Sequence, residues 1–431
     1  MLFRSASQPR PPNSRRYGML GLIGSASGRV DFAMKPFALL LLVLVLPTWG
    51  RAERPYFGAE PGALEKAKQA IAAGDPVLVG ALKKLKQDAE KALLVAPASV
   101  TEKKQLPPSG DAHDYMSLAP YFWPDPAKPK GLPYLRKDGE VNPESRELAA
   151  NDTLRVRALA ATVEALSLAY YFTGEEKYAA HAAQHLRVWF LAPATRMNPN
   201  LKFAQAVLGV NDGRGTGIIE ARGLAVSADA AILLLGSKAW TKDDQVAVER
   251  WGDQYYEWLL RSKNGQDERA AKNNHGTWYD VQAVHWALVL KRTEEAKGFL
   301  DQAGVKRIEV QVEPDGRQPL ELSRTASFSY SCFNLRALAD LALLGQHAGV
   351  DLWAYRSKDG RSLRVALDYL VPYLGKQPKP WPGQQIHGSN PDEIMPVLRR
   401  AAHATGTVAY EELLAQYAEA PSKRFQLVAP R

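Results

Sequence analysis

The chain has 431 residues, 46% of them hydrophobic and 23% charged, with ten tryptophans, which is ample material for a large core and excludes a disordered chain. Its formal net charge is +9, but residues 1–52 hold seven Lys or Arg against one Asp, so the remainder carries +3. Such a balanced chain argues against a nucleic-acid partner, which calls for a dense basic stripe. The lone Cys332 excludes an intramolecular disulfide.

Residues 1–52 stand apart from the folding argument. Met34 and Lys35 form a short basic stretch, Phe37 to Leu46 a solid apolar run, and Gly50 and Ala52 are small residues suited to signal-peptidase cleavage. Residues 34–52 therefore read as a secretory signal, since the run of about ten is well short of the roughly 20 residues of a membrane-spanning helix. Residues 1–33, with Arg4, Arg10, Arg15, Arg16 and Arg29, read as translated upstream sequence, with Met34 as the true start. The expected location is periplasmic or secreted, with no membrane contact after signal cleavage.

Residues 53–431 are expected to form one domain, in which helix follows helix from about Pro61 onward. Ser145 to Tyr171 repeats Val156, Leu159, Val163, Leu166 and Tyr170 at steps of three and four, and Gly174 supplies a C-cap. Further periodic segments run near 177–190, 218–235, 242–261, 277–290, 334–348 and 362–374. Consecutive helices with short connections pack as hairpins, and a string of hairpins closes into a ring, so the expected fold is an all-α, single-domain (α/α) toroid.

Two long segments interrupt the helices: Thr101 to Pro143, rich in Pro and aromatics, and Pro193 to Gly217, rich in Asn and Gly. Loops of this length in a compact domain are commonly functional. Tyr115, Tyr121, Phe122 and Trp123 suit the apolar face of a pyranose ring, or else pack the loop onto the helices. In the second segment Gln205, Arg214 and the following Glu220 offer hydrogen bonds and a positive group to a ligand.

Two polar clusters abut apolar helices. The first, 273–280, holds Asn273, Asn274, His275, Trp278 and Asp280; helix capping is the competing structural reading of its Asn and His. The second, 321–331, holds Glu321, Arg324 and Tyr330, where an Arg324–Glu321 ion pair is the structural alternative. His181 and His185 share a helical face at metal-ligand spacing but lack the Glu of a metalloprotease helix, so no metal site is expected. The Gly-rich stretch 209–217 follows no clear strand and precedes no Lys-Ser/Thr pair, which argues against a phosphate loop.

Together these motifs resemble the alginate lyase superfamily, most nearly the polysaccharide lyases of family thirty-eight. The resemblance runs through His113-Asp114-Tyr115, Tyr121 to Pro126, Asp138-Gly139, Val141-Asn142-Pro143, Arg196 to Asn200, Asn273 to Gly276, and Arg324 with Tyr330. It implies a helical toroid and cofactor-free, metal-free β-elimination on an acidic polysaccharide, alginate or glucuronan. The family's Asn, His, Arg and Tyr quartet falls on Asn274, His275, Arg324 and Tyr330. Tyr115, Trp123, Gln205, Arg214 and Trp278 complete the candidate site as substrate-binding residues.

The chemistry suits those residue types. Elimination removes the C5 proton beside a uronate carboxylate and expels O4, so the charge developing on the carboxylate needs fixed donors, here Arg324 and Asn274. In glucuronate and mannuronate H5 and O4 lie on one side of the ring, and Tyr330 alone suffices as base and acid; in guluronate they lie on opposite sides, which calls on His275 as base. At roughly 5 Å and an effective dielectric of about 20, Arg324 stabilises a Tyr330 phenolate by about 3 kcal/mol, on the order of two pKa units, which predicts a tyrosinate near neutral pH. The rival classes are a toroid glycoside hydrolase using two of Asp152, Glu220, Asp280 and Glu321, and a periplasmic binding protein that holds oligouronates uncut.

Overall fold

A computed structural model describes residues 55–388, 393–417 and 424–431; the stretch read as upstream sequence and export signal lies outside them. Helices α1 (Ala63–Ala72) and α2 (Pro76–Ala92) precede a long connection. There follow α3 (Thr153–Thr173), α4 (Glu176–Leu186), α5 (Arg222–Ile232), α6 (Lys242–Arg261), α7 (Lys263–Arg269), α8 (Asn274–Val289) and α9 (Thr293–Ala303). Single turns α10 (Glu309–Gln311) and α11 (Pro319–Leu322) lead into α12 (Ser327–Ala348), and α13 (Leu363–Leu370), α14 (Met395–Thr405), α15 (Val408–Ala415) and α16 (Phe425–Val428) follow.

The apolar periodicity located seven of these elements, α3, α4, α5, α6, α8, α12 and α13. Helix α6 fills its predicted span, opened by a Thr241–Asp244 capping box. Helix α3 ends at Gly174, whose φ of 72° is open to glycine and whose N–H reaches the Tyr170 carbonyl. Several starts differ from expectation: α3 begins at Thr153 instead of Ser145 and α5 at Arg222 instead of Ile218. Helix α8 takes Asn274, His275 and Gly276 into its first turn, with Asn273 as N-cap, and α12 begins at Ser327 instead of Asn334. Both polar clusters thus occupy helix beginnings, where free backbone N–H groups tolerate polar side chains that would break an apolar pattern further in.

Helix α3 packs on α2, α4 and α5, α5 on α8, and α8 on α9 and α12, giving the α/α toroid. Helix α8 is enclosed on all sides: of its sixteen residues only His275 escapes burial, and its buried Asp280 and His285 are partnered by Arg307 and Asp229. Its contact with α6 is close enough that a Cβ on Gly252 would meet the Trp286 ring at 2.3 Å. The two long connections are knitted together by short strands: β1 (Met116–Leu118) pairs parallel with β4 (Phe203–Ala206), and β2 (Phe122–Trp123) pairs antiparallel with β3 (Leu135–Arg136).

The N-terminal stretch crosses the far ends of the inner helices. Buried Asp229 of α5 accepts the N–H groups of Phe57 and Gly58 at 3.0 and 2.9 Å and faces His285 of α8 at 3.0 Å, and His347 of α12 bonds the Ala59 carbonyl at 2.7 Å. Glu164 of α3 receives the Tyr56 hydroxyl and the Arg424 guanidinium. Asp229→Ala leaves two buried N–H groups and an imidazole without their acceptor, and is expected to lower unfolding free energy by about 3 kcal/mol. Urea denaturation at neutral pH checks this, and an unchanged midpoint refutes the anchoring role.

Candidate active site

Asn274, His275, Arg324 and Tyr330, from two polar clusters some 50 residues apart in sequence, all line one cleft of about 1020 Å³. Gln205, Arg214 and Glu220 line it too, with Tyr121 and Phe122 from the aromatic loop. The first turns of α5, α8 and α12 all open on this cleft while their other ends meet residues 57–59. The three helices therefore run parallel and present their positive N-terminal ends to whatever the cleft holds.

Each side chain of the quartet is held from behind. The His275 Nδ1 lies 2.7 Å from Oε1 of Glu268, a carboxylate 2% exposed on α7, which leaves Nε2 as the other ring nitrogen. Buried Asn274 donates its backbone N–H to Glu321 Oε1 at 2.7 Å and its side-chain amide to both Glu321 oxygens at 3.0 and 2.8 Å. Burial raises the Glu321 pKa, with the Asn274 hydrogen bonds and the charges of Arg324 and His275 opposing. Arg324 grips Asp138 through Nε and Nη2, at 3.0 and 2.7 Å, and its guanidinium carbon lies 3.7 Å from the centre of the Tyr330 ring. The Tyr330 hydroxyl bonds the Tyr121 hydroxyl at 2.8 Å.

Three expectations need correction. Arg324 pairs with Asp138, and Glu321 with Asn274, so the Arg324–Glu321 ion pair is absent among the described contacts. Both donors intended for the substrate carboxylate already serve protein carboxylates. The tyrosinate also fails: burial pushes the Tyr330 phenol well above its usual range, and Tyr121 adds to the rise while Arg324 opposes it. The guanidinium sits over the ring face and is paired with Asp138, and the lowering it exerts on the phenol is outweighed by burial.

Of the candidate binding residues, Gln205 and Arg214 border the cleft and bond each other at 2.8 Å, with Arg214 stacked 4.9 Å over Phe122. Gln205 also donates to Glu220 and holds a φ of 51°, a left-handed conformation that a glutamine adopts only under tight restraint. Tyr115, Trp123 and Trp278 are not among the cleft-lining residues. Tyr115 is fully buried behind Glu220, which it bonds at 2.9 Å; Trp123 donates to the Glu140 carbonyl; Trp278 is buried beneath Arg222. Four residues outside the predicted quartet complete the site: Glu268 and Arg222, which no sequence motif singles out, and Asp138 and Tyr121, which stand in loop motifs and partner Arg324 and Tyr330.

The rival motifs are occupied by structural contacts. Asp152 pairs with Lys103 and Arg155, Asp280 with Arg307, and Glu321 with Asn274, so only Glu220 of the four carboxylates lines the cleft. His181 and His185 both face the Val95 carbonyl, and burial pushes the His185 pKa down to about 4. In the Gly-rich stretch, Gly213 and Gly217 lie against the backbone of Lys202 and Ala204, where any Cβ would clash.

A helical toroid with a polar cleft serves lyases and hydrolases alike, and the family of the chain makes it a polysaccharide lyase. The chain matches the family described as Alginate lyase over residues 99–381, and it belongs to that family. It is similar to an alginate lyase from Bacteroides ovatus, with 40% identity and a TM-score of 0.81 across 86% of this chain and 98% of that one. It is also similar in fold to alginate lyase A1-III from Sphingomonas species A1, with 15% identity and a TM-score of 0.50 across 80% and 94% of the two chains. Comparison with curated protein sequences gives no match.

The raised Tyr330 pKa carries a sign. The protonated form is favoured in the fold, so its contribution to stability is complete below the unfolded value of about 10 and disappears as pH rises above it. The difference in phenolate absorbance between wild type and Tyr330→Phe is therefore expected to be absent in folded protein at pH 10 and to appear on unfolding. A phenolate signal from Tyr330 in the folded enzyme near neutral pH refutes the assignment.

Proposed function

We propose that the protein cleaves 1,4-linked uronic-acid polymers of the alginate or glucuronan type by β-elimination in this cleft, leaving a 4,5-unsaturated uronate end. The observation that carries the reading is the meeting of Asn274 and His275, on the first turn of α8, with Arg324 and Tyr330, at the start of α12, around one cavity. The charge of the cavity agrees: Arg136, Arg146, Arg157, Arg214, Arg222 and Arg324 line it against Glu220 and Glu393. A polymer with one carboxylate per sugar suits that surplus.

Tyr330 keeps its proton, which fits it to protonate the departing O4. His275, with Glu268 on Nδ1, has Nε2 for the C5 proton, and the ion pair it forms with Glu268 stabilises the imidazolium that results. Arg324 fixes the Tyr330 ring by stacking, and Asn274 fixes the α8 turn through Glu321. A base and an acid on separate side chains suit guluronate directly, since its H5 and O4 lie on opposite sides. In mannuronate and glucuronate both lie on one side, from which His275 and Tyr330 must act together, and because those two sugars differ only at C2 the four side chains treat them alike.

Incubation with mannuronan, guluronan and glucuronan, followed by ultraviolet absorbance of the unsaturated product, tests the reading. Wild type is expected to absorb with at least one polymer. Tyr330→Phe is expected to lose turnover by at least about a thousandfold while binding oligosaccharide nearly as well. Reducing ends without absorbance select a hydrolase, and binding without any product selects a carrier.

The segment 34–52 supports export to the periplasm or the medium as part of the same proposal. Among the described residues no helix is long and apolar enough to cross a membrane. Mass analysis of protein recovered from the exported fraction is expected to find a chain starting at residue 53. A chain that retains Met34 and stays in the cytoplasm refutes export.

A further inference from the structure

Arg222 opens α5 and lines the cleft, half-buried, with its guanidinium 4.4 Å from the centre of the Trp278 ring and 5.0 Å from that of Phe333. Those rings lie one helical turn in from Asn274 on α8 and from Tyr330 on α12. Arginines enclosed away from the cleft have a carboxylate against them: Arg155 meets Asp152, Arg307 meets Asp280, and Arg336 and Arg400 share Asp340, while Arg214, also at the cleft, bonds the Gln205 amide. Arg222 has no such partner within hydrogen-bond distance among the described residues. The carboxylate that bears on it most, Glu393, acts through charge alone, and burial pushes the Arg222 pKa down to about 10.

A cation drawn out of water and left unpaired destabilises a fold, so its retention at the wall of a cavity marks a site for an anion brought from outside. The aromatic pair holds the guanidinium still and leaves its N–H groups free for a planar bidentate acceptor. The charge balance of the reaction asks for such a group. Arg324 is neutralised by Asp138 and the Asn274 amide is spent on Glu321, so neither supplies uncompensated positive charge.

We propose that Arg222 binds a carboxylate of the polyuronate in the cleft and supplies the net positive charge that the Arg324–Asp138 pair lacks. The proposal rests on the lyase reading of the same cavity. A residue of this kind distinguishes acidic from neutral glycans and makes binding sensitive to salt.

The test compares wild type with Arg222→Gln and Arg222→Lys, measuring KM on the polymer that wild type converts and, in the Tyr330→Phe background, calorimetric binding of a uronate tetrasaccharide and of its carboxyl-reduced, neutral form. Arg222→Gln is expected to raise KM and Kd for the acidic ligand at least about tenfold. Arg222→Lys is expected to recover part of that loss, and the neutral ligand to bind all forms alike. Without ligand, Arg222→Gln is expected to melt at or above the wild-type temperature, because an unpaired charge has been removed. Unchanged acidic-ligand binding, or melting more than about 4 °C lower, overturns the proposal and makes Arg222 a structural residue. If wild type converts no polyuronate, the lyase reading fails, and tetrasaccharide binding still judges Arg222; if wild type is active and Arg222→Gln matches it, only the Arg222 proposal fails.

Discussion

One buried carboxylate joins the two halves of the site. Glu321, on the short turn before α12, accepts the backbone and side-chain N–H groups of Asn274, the first residue of α8. Three hydrogen bonds to one buried acid are too many to exchange for water at small cost. They set His275, one residue on, and Arg324, three residues on, at fixed places around the cleft. The rest of the site hangs from that join: Glu268 turns the His275 ring, Asp138 turns Arg324, and Arg324 in turn lies flat on Tyr330.

The consequence for chemistry is a division of labour among charges. Where an arginine is neutralised by its own acid, as Arg324 is by Asp138, it works as a brace and not as an electrostatic sink. In the proposed reaction, positive potential for the polymer comes from the parallel first turns of α5, α8 and α12 and from arginines without a partner acid, foremost Arg222. There the phenol of Tyr330, enclosed and bonded to a second phenol, is the proton donor, and the imidazole backed by Glu268 the complementary acceptor.

The toroid was legible because helix follows helix through short connections, with apolar residues at steps of three and four as in α6. The quartet was legible because Asn274-His275 and Arg324 with Tyr330 each stand together in sequence. Their supports were not. Asp138 lies 186 residues from Arg324, and Glu268 belongs to a different helix from His275, so no local spacing announces either. The tyrosinate was misjudged for a related reason: Arg324 is near in sequence, but the burial of the phenol and its neighbour Tyr121, which outweigh that charge, come from distant parts of the chain. The aromatic loop misled in another way, since Tyr115 and Trp123 have the composition of a sugar platform but one is spent behind Glu220 and the other on Glu140.

The contacts of the N-terminal stretch bear on the order in which the molecule assembles. Phe57 meets Asp229 across 172 residues, and Glu164 meets Arg424 across 260. A chain emerging from the ribosome can wind its hairpins early, but the ring lacks its clasp until nearly the last helix has been made. Closure by contacts so distant along the polymer is slow. For the exported precursor proposed above, that delay keeps the chain open long enough to be threaded, and it locks only with both ends in place.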